Sequence, residues 1–261
     1  MPTTSIDVQG ARFNSRVEGP PDAPWLVLSN SLGADLTMWD DQMPALAERF
    51  RVLRYDTRGH GASSVTPGPY TIEQLGRDVL ALLDALKVRK VHFCGVSMGG
   101  MTGMWLGVQA AERIDRLVLA NTAPQIGTLE IWNTRIDNVR NGGLAAIADA
   151  LMERWFSKGF RERAPATVAR IRAKLVASPP EGYVASCGAV RDADVWGVVG
   201  RIAAPTLVIR GTHDLSTPPA EGRKLAERIA GARYVELDAA HISNVEQAEQ
   251  FTAELTGFLA S

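Results

Sequence analysis

Cysteine is scarce in this 261-residue chain, which holds only Cys94 and Cys187. Two thiols are too few for a disulfide framework, and neither belongs to a Cys/His cluster with metal-ligand spacing. A reducing cytoplasm is therefore the expected compartment. An excess of charge of either sign is missing too: 28 Lys/Arg against 29 Asp/Glu leave a formal net charge of −1. That balance excludes the broad basic footprint of a nucleic-acid binder. No apolar run approaches the ~18 residues that a spanning helix needs, so no membrane partner is expected. The opening MPTTSIDVQG lacks the charged-then-apolar pattern of a secretory leader, and none is expected. Histidine is limited to His60, His92, His213 and His241, so any imidazole chemistry must use one of these four. What is present is a 46% hydrophobic content, enough at this length to fold around a core without covalent staples.

Short apolar runs alternate with longer helical segments. The runs are WLVLS (25–29), RVLRY (51–55), VHFCGV (91–96), RLVLA (116–120), TLVIR (206–210) and RYVEL (233–237). Between them, Ile72, Leu75, Val79, Leu82, Leu83 and Leu86 recur at helical spacing, and 98–111, 219–230 and 245–260 are rich in helix formers. Strand–helix alternation with nearly continuous apolar strands predicts an α/β fold, a parallel sheet buried under helices on both faces. Ile6, Val8 and Phe13, set among polar neighbours, predict an antiparallel edge hairpin. From 123 to 195 the helical patterns continue without a strand. That stretch reads as an insertion, with ten Lys/Arg and eight Asp/Glu against a net −3 on the rest.

Gly95-Val96-Ser97-Met98-Gly99 matches G-x-S-x-G between a predicted buried strand and a predicted helix. This is the setting of a nucleophile elbow, where a strained turn lifts the serine oxygen clear of the sheet. Serine needs a base to take its proton, and in such enzymes the acid and then the histidine follow the serine along the chain. His60 and His92 precede it. Asp214 ends the strand TLVIR, and His241 follows RYVEL 27 residues later, so Ser97, Asp214 and His241 satisfy both order and topology. Asp238, three residues before His241, competes as the orienting acid. Asp56, with Arg58 and His60, is expected to lock a loop. Backbone amides of Met98 and of Leu32, in the Asn30-Ser31-Leu32-Gly33 loop, are the expected oxyanion donors. Cys94 and the Met98, Met101 and Met104 series are expected to pack the core.

These features resemble the α/β-hydrolase superfamily over essentially the whole chain. SNSLGADLTMWDDQMPAL (29–46), FRVLRYDTRGHGAS (50–63), PYTIEQLGRDVLALLDAL (69–86), CGVSMGGMTGMWLG (94–107) and LVLANTAPQIGTLEIWNTRI (117–136) resemble the 3-oxoadipate enol-lactonases in particular. The resemblance implies a mostly parallel eight-stranded sheet. It also implies a core over 1–122 and 196–261 and a helical cap over 123–195. The implied reaction opens an enol-lactone to 3-oxoadipate in aromatic degradation, without metal or organic cofactor. Many relatives carry His-Gly where this chain has Asn30-Ser31. The implied substrate is a small anionic lactone, so a cation is expected in the pocket. Trp132 and Arg135, three apart on a predicted helix, share a face, and Arg suits forked carboxylate binding. Arg58, Arg154 and Trp155 are the alternatives. Competing functions are a carboxylesterase, a carbon–carbon bond hydrolase, a cofactor-free perhydrolase or a receptor without turnover. A homo-oligomer is left open by the sequence.

Overall fold

The computed structural model describes residues 4–261. The start of the 1–122 core segment, and the leader question with it, lies outside those residues. The chain runs β1 (Thr4–Val8), β2 (Ala11–Glu18), β3 (Trp25–Ser29), α1 (Met43–Arg49), β4 (Arg51–Tyr55), α2 (Ile72–Ala85), β5 (Val91–Val96), α3 (Met98–Gln109) and β6 (Ile114–Ala120). Five helices follow: α4 (Leu129–Gly142), α5 (Ala145–Trp155), α6 (Lys158–Arg163), α7 (Pro165–Ala177) and α8 (Pro180–Arg191). The series then resumes with β7 (Thr206–Gly211), α9 (Pro219–Arg228), β8 (Arg233–Leu237), α10 (Ser243–Glu246) and α11 (Ala248–Leu259).

All eight strands form one sheet in the order β1-β2-β4-β3-β5-β6-β7-β8. The hairpin β1–β2 is antiparallel and joins β4 antiparallel; the remaining pairs are parallel. This is the α/β-hydrolase architecture the sequence resembles. The central strands earn their position by composition: every residue of VHFCGV in β5 and TLVIRG in β7 is buried. RYVEL in β8, a sheet edge, is largely half-exposed. Helix α2 buries Ile72, Leu75, Val79, Leu82 and Leu83, and the Thr71 side chain caps it by accepting from the Gln74 amide. Helix α3 is apolar and lies against β5, β6 and α2, with Met98, Met101 and Met104 inside. Cys94 is buried, and its thiol is pushed well above its ordinary pKa by that burial.

The helices α4–α8 all lie between β6 and β7 in the chain. Their two ends meet: the Val195 amide donates to the Pro124 carbonyl at 3.0 Å. Two further ties hold this helical segment to the sheet's carboxyl end. Lys174 on α7 pairs with Asp35 at 3.0 Å and also touches Thr37, and Ile242 N donates to Trp155 O at 3.0 Å. Among the described residues, no helix is long and apolar enough to cross a membrane.

Candidate active site

Ser97 stands at the junction of β5 and α3 with φ 56° and ψ −115°, a strained region for a residue with a side chain. The two flanking glycines make the turn sterically feasible. A Cβ on Gly95 would lie 2.2 Å from Gly99 O, and one on Gly99 would lie 2.3 Å from Ser29 O. The Ser97 amide donates to Ala120 O at 2.9 Å, and Thr122 Oγ1 donates to Ser97 O at 2.7 Å. The elbow is thus pinned to the end of β6.

Asp214 follows β7 and receives His241 Nδ1 at 2.9 and 3.0 Å. It also accepts from Thr217 Oγ1 at 2.6 Å, the amides of Ser216 and Thr217 at 2.8 and 2.9 Å, and Asn121 Nδ2 at 3.0 Å. Burial works to raise its pKa. The adjacent His241 and the Thr217 donors outweigh burial and lower it to about 2. An ionised carboxylate only accepts, so Nδ1 carries the shared proton and Nε2 is left as the ring's acceptor. Asp238, the competing acid, instead takes exposed His213 Nε2 at 2.8 Å. The loop bearing His241 is held on both sides. Ala240 N donates to buried Glu246 Oε2 at 3.0 Å, and the same carboxylate accepts from Ser157 N at 3.1 Å.

The Asn30–Gly33 loop is built from buried contacts. Asn30 Nδ2 donates to Tyr55 O at 2.8 Å, its Oδ1 accepts from Trp39 Nε1 at 2.9 Å, and its carbonyl accepts from the Gly99 amide at 3.1 Å. Asparagine therefore seats this loop with a specific set of bonds of its own. Gly33 (φ 85°) donates its amide to His60 Nε2 at 2.9 Å. The amides of Leu32 and Met98 are engaged by no acceptor among the described residues. The His60 ring is fully buried; burial lowers its pKa to about 4, against the opposing pull of the Arg58 carbonyl and Asp35. Its neighbours divide the locking work differently from the expectation. Asp56 accepts from Asn14, Leu36 N and Ala62 N, while Arg58 reaches away to Asp78 on α2. Arg58 is thereby removed from the list of pocket cations.

Ser97 and His241 line one cavity of about 180 Å³, together with Ser31, Leu32, Trp132, Arg135 and residues of the helical segment. Its wall includes two arginines, Arg135 and Arg154, and no Asp or Glu. Neither arginine forms an ion pair among the described residues. The Arg135 guanidinium lies over the Trp132 ring, 4.6 Å from its centroid, and the indole is itself fixed by Nε1 donating to Ile126 O at 2.5 Å. The sequence reading missed Asn121, Thr217, Glu246 and Tyr183. Asn121 alone had a signal, a polar residue directly ending an apolar strand. Among the described residues, no group of three or more His, Cys, Asp or Glu side chains could hold a metal ion.

Residues 24–248 match the alpha/beta hydrolase fold family. The chain is 44% identical to 3-oxoadipate enol-lactonase 2 of Acinetobacter baylyi, over 95% of this chain and 92% of that one. It is 40% identical to 3-oxoadipate enol-lactonase 1 of the same organism, over 97% and 95%. Among solved structures it is similar to the enol-lactonase from Burkholderia xenovorans LB400, with 51% identity and a TM-score of 0.98 over 99% of this chain and 100% of that one.

Proposed function

The chain belongs to the α/β-hydrolase fold family, in the branch that includes the 3-oxoadipate enol-lactonases, and from that premise we propose that it opens 3-oxoadipate enol-lactone to 3-oxoadipate. The observation that carries this reading is a buried Asp214–His241 pair and Ser97 meeting at a cavity with two arginines and no carboxylate.

Ser97 Oγ attacks the lactone carbonyl carbon while His241 Nε2 takes its proton. Asp214 holds the imidazole in the required tautomer and stabilises its charged form. The tetrahedral oxyanion lies against the Leu32 and Met98 amides, donors of the kind worth on the order of 10²–10³ in rate each. Collapse breaks the ring C–O bond and expels an enolate oxygen, a better leaving group than a simple alkoxide. His241 returns the proton to it, and the enol tautomerises to the ketone. Water then gives a proton to His241 as it attacks the acyl carbon, and collapse breaks the bond to Ser97 Oγ, which takes that proton back from His241. Arg135, braced on Trp132, pairs with the substrate carboxylate. Residues 123–195 serve as a cap over the core of 1–122 and 196–261, which excludes bulk water.

The test compares kcat/KM of the purified protein on the enol-lactone and on a simple aryl ester. The lactone is expected to be the far better substrate, and Ser97→Ala is expected to abolish turnover. Preference for the aryl ester refutes the lactonase assignment, and an active Ser97→Ala refutes the nucleophile.

A further inference from the structure

Of the side chains lining the cavity, only that of Tyr183 carries a buried polar atom whose hydrogen-bonding is unfilled among the described residues: its phenol hydroxyl, which finds no acceptor. The side chain is 1% exposed. An unpaired buried hydroxyl is costly, and native structures keep few of them. Those kept in a binding cavity are explained when a ligand supplies the missing partner.

The surroundings define that partner. The Tyr183 ring lies against Gly33, so close that a Cβ there would come within 3.0 Å of Cε2. The hydroxyl end of the ring is therefore set against the loop that carries the Leu32 amide. The Arg135 guanidinium lies beside the hydroxyl, its charge and its N–H groups both acting on the phenol oxygen, and is itself laid flat on Trp132; a guanidinium offers no acceptor, so the phenol proton stays unclaimed. Burial pushes the phenol far above its ordinary pKa, so the hydroxyl stays a neutral donor throughout the working range. A neutral O–H and a guanidinium, side by side in a wall without carboxylates, form a cradle for a small anion.

Resting on the reading of this site as one for an anionic lactone, we infer that Tyr183 is a specificity-determining residue. Its hydroxyl donates to the same substrate carboxylate that Arg135 pairs with. The oxyanion amides grip the reacting carbonyl, and the Tyr183–Arg135 cradle grips the carboxylate arm. The distance between the two grips then selects the length of that arm.

The experiment uses the full chain and Tyr183→Phe, which removes the oxygen alone. The probes are glutarate binding by calorimetry, steady-state kinetics on the enol-lactone and kinetics on uncharged phenyl acetate. A hydrogen bond to a charged group is worth roughly a factor of 10–100 in binding. Glutarate Kd and enol-lactone KM are expected to rise by that factor, with kcat nearly unchanged. Phenyl acetate kinetics are expected to be unmoved, and the thermal midpoint not lowered, because the phenol proton has no acceptor in the free protein. Unchanged glutarate Kd, absent glutarate binding in the unsubstituted protein, or an equal loss on phenyl acetate overturns the inference. If the unsubstituted protein fails to open the lactone while Tyr183→Phe still weakens glutarate, the proposed function falls and the cradle stands. If the lactone is opened and Tyr183→Phe shifts neither constant, the cradle falls and the proposed function stands.

Discussion

Protonation of His60 should destabilise the protein, and His60→Gln should remove that sensitivity. The ring accepts the Gly33 amide through Nε2, while Nδ1 faces the Arg58 carbonyl at 3.2 Å. A neutral imidazole with its proton on Nδ1 satisfies both partners; an imidazolium cannot accept from Gly33. In the unfolded chain the ring takes its proton near 6.5, but in the buried site only near 4. Between those values the unfolded state binds more protons, so stability falls as the pH falls from 6.5 towards 4. At ~1.4 kcal/mol per pH unit the complete loss is about 3 kcal/mol, of which about 2 kcal/mol appears between pH 7 and pH 4.5. Glutamine can offer Oε1 to Gly33 and its amide to Arg58 without titrating. Urea unfolding of both proteins at the two pH values isolates the His60 contribution, because every other titratable group is common to both. The stability of the unsubstituted protein should fall about 2 kcal/mol further than that of the variant. Equal pH dependence in the two proteins would refute a neutral His60 and, with it, the account of how the Asn30–Gly33 loop is held.

Asp214→Asn should lower kcat by about 10⁴-fold with KM little changed, since an amide no longer enforces the tautomer with a proton on Nδ1; stopped-flow or steady-state assay of the lactone measures it. Gly99→Ala should cost at least ~3 kcal/mol, the upper end for overpacking, because the added Cβ meets the Ser29 carbonyl at 2.3 Å and backbone cannot swing aside. Its denaturant midpoint reports the loss. Arg135→Ala should raise the enol-lactone KM roughly 10–100-fold and leave phenyl acetate alone; an unchanged kcat/KM on the lactone would move the anchor to Arg154.

The sheet could be read from sequence because its central strands are buried on both faces, which writes them as unbroken apolar runs. β6 was the least well bounded: it begins at Ile114, before the predicted 116, because exposed Asp115 interrupts its apolar pattern. The elbow was legible because its glycines are demanded by contacts within a few residues. The pairing of Asp214 with His241 follows the chain order, and Asp238 takes His213 instead. The supporting residues were not legible. Asn121 and Asp214 are 93 positions apart, and Asn30 and Tyr55 are 25 apart, so no local pattern records their pairing. Arg58 illustrates the limit. Its position in Asp56-Thr57-Arg58-Gly59-His60 suggested a local partner, but Asp56 is already filled by donors from three other places.

The hydrogen bond from Val195 to Pro124 gives the fold a seam. Everything between those residues leaves the sheet and returns to it at one point, so the length and shape of that excursion are decoupled from the register of β6 and β7. Inheritance can act on the two parts separately. On the proposed function, the groups that break the bond stay with the sheet, and the helical walls of the cavity can be redrawn, lengthened or exchanged without re-registering a single strand.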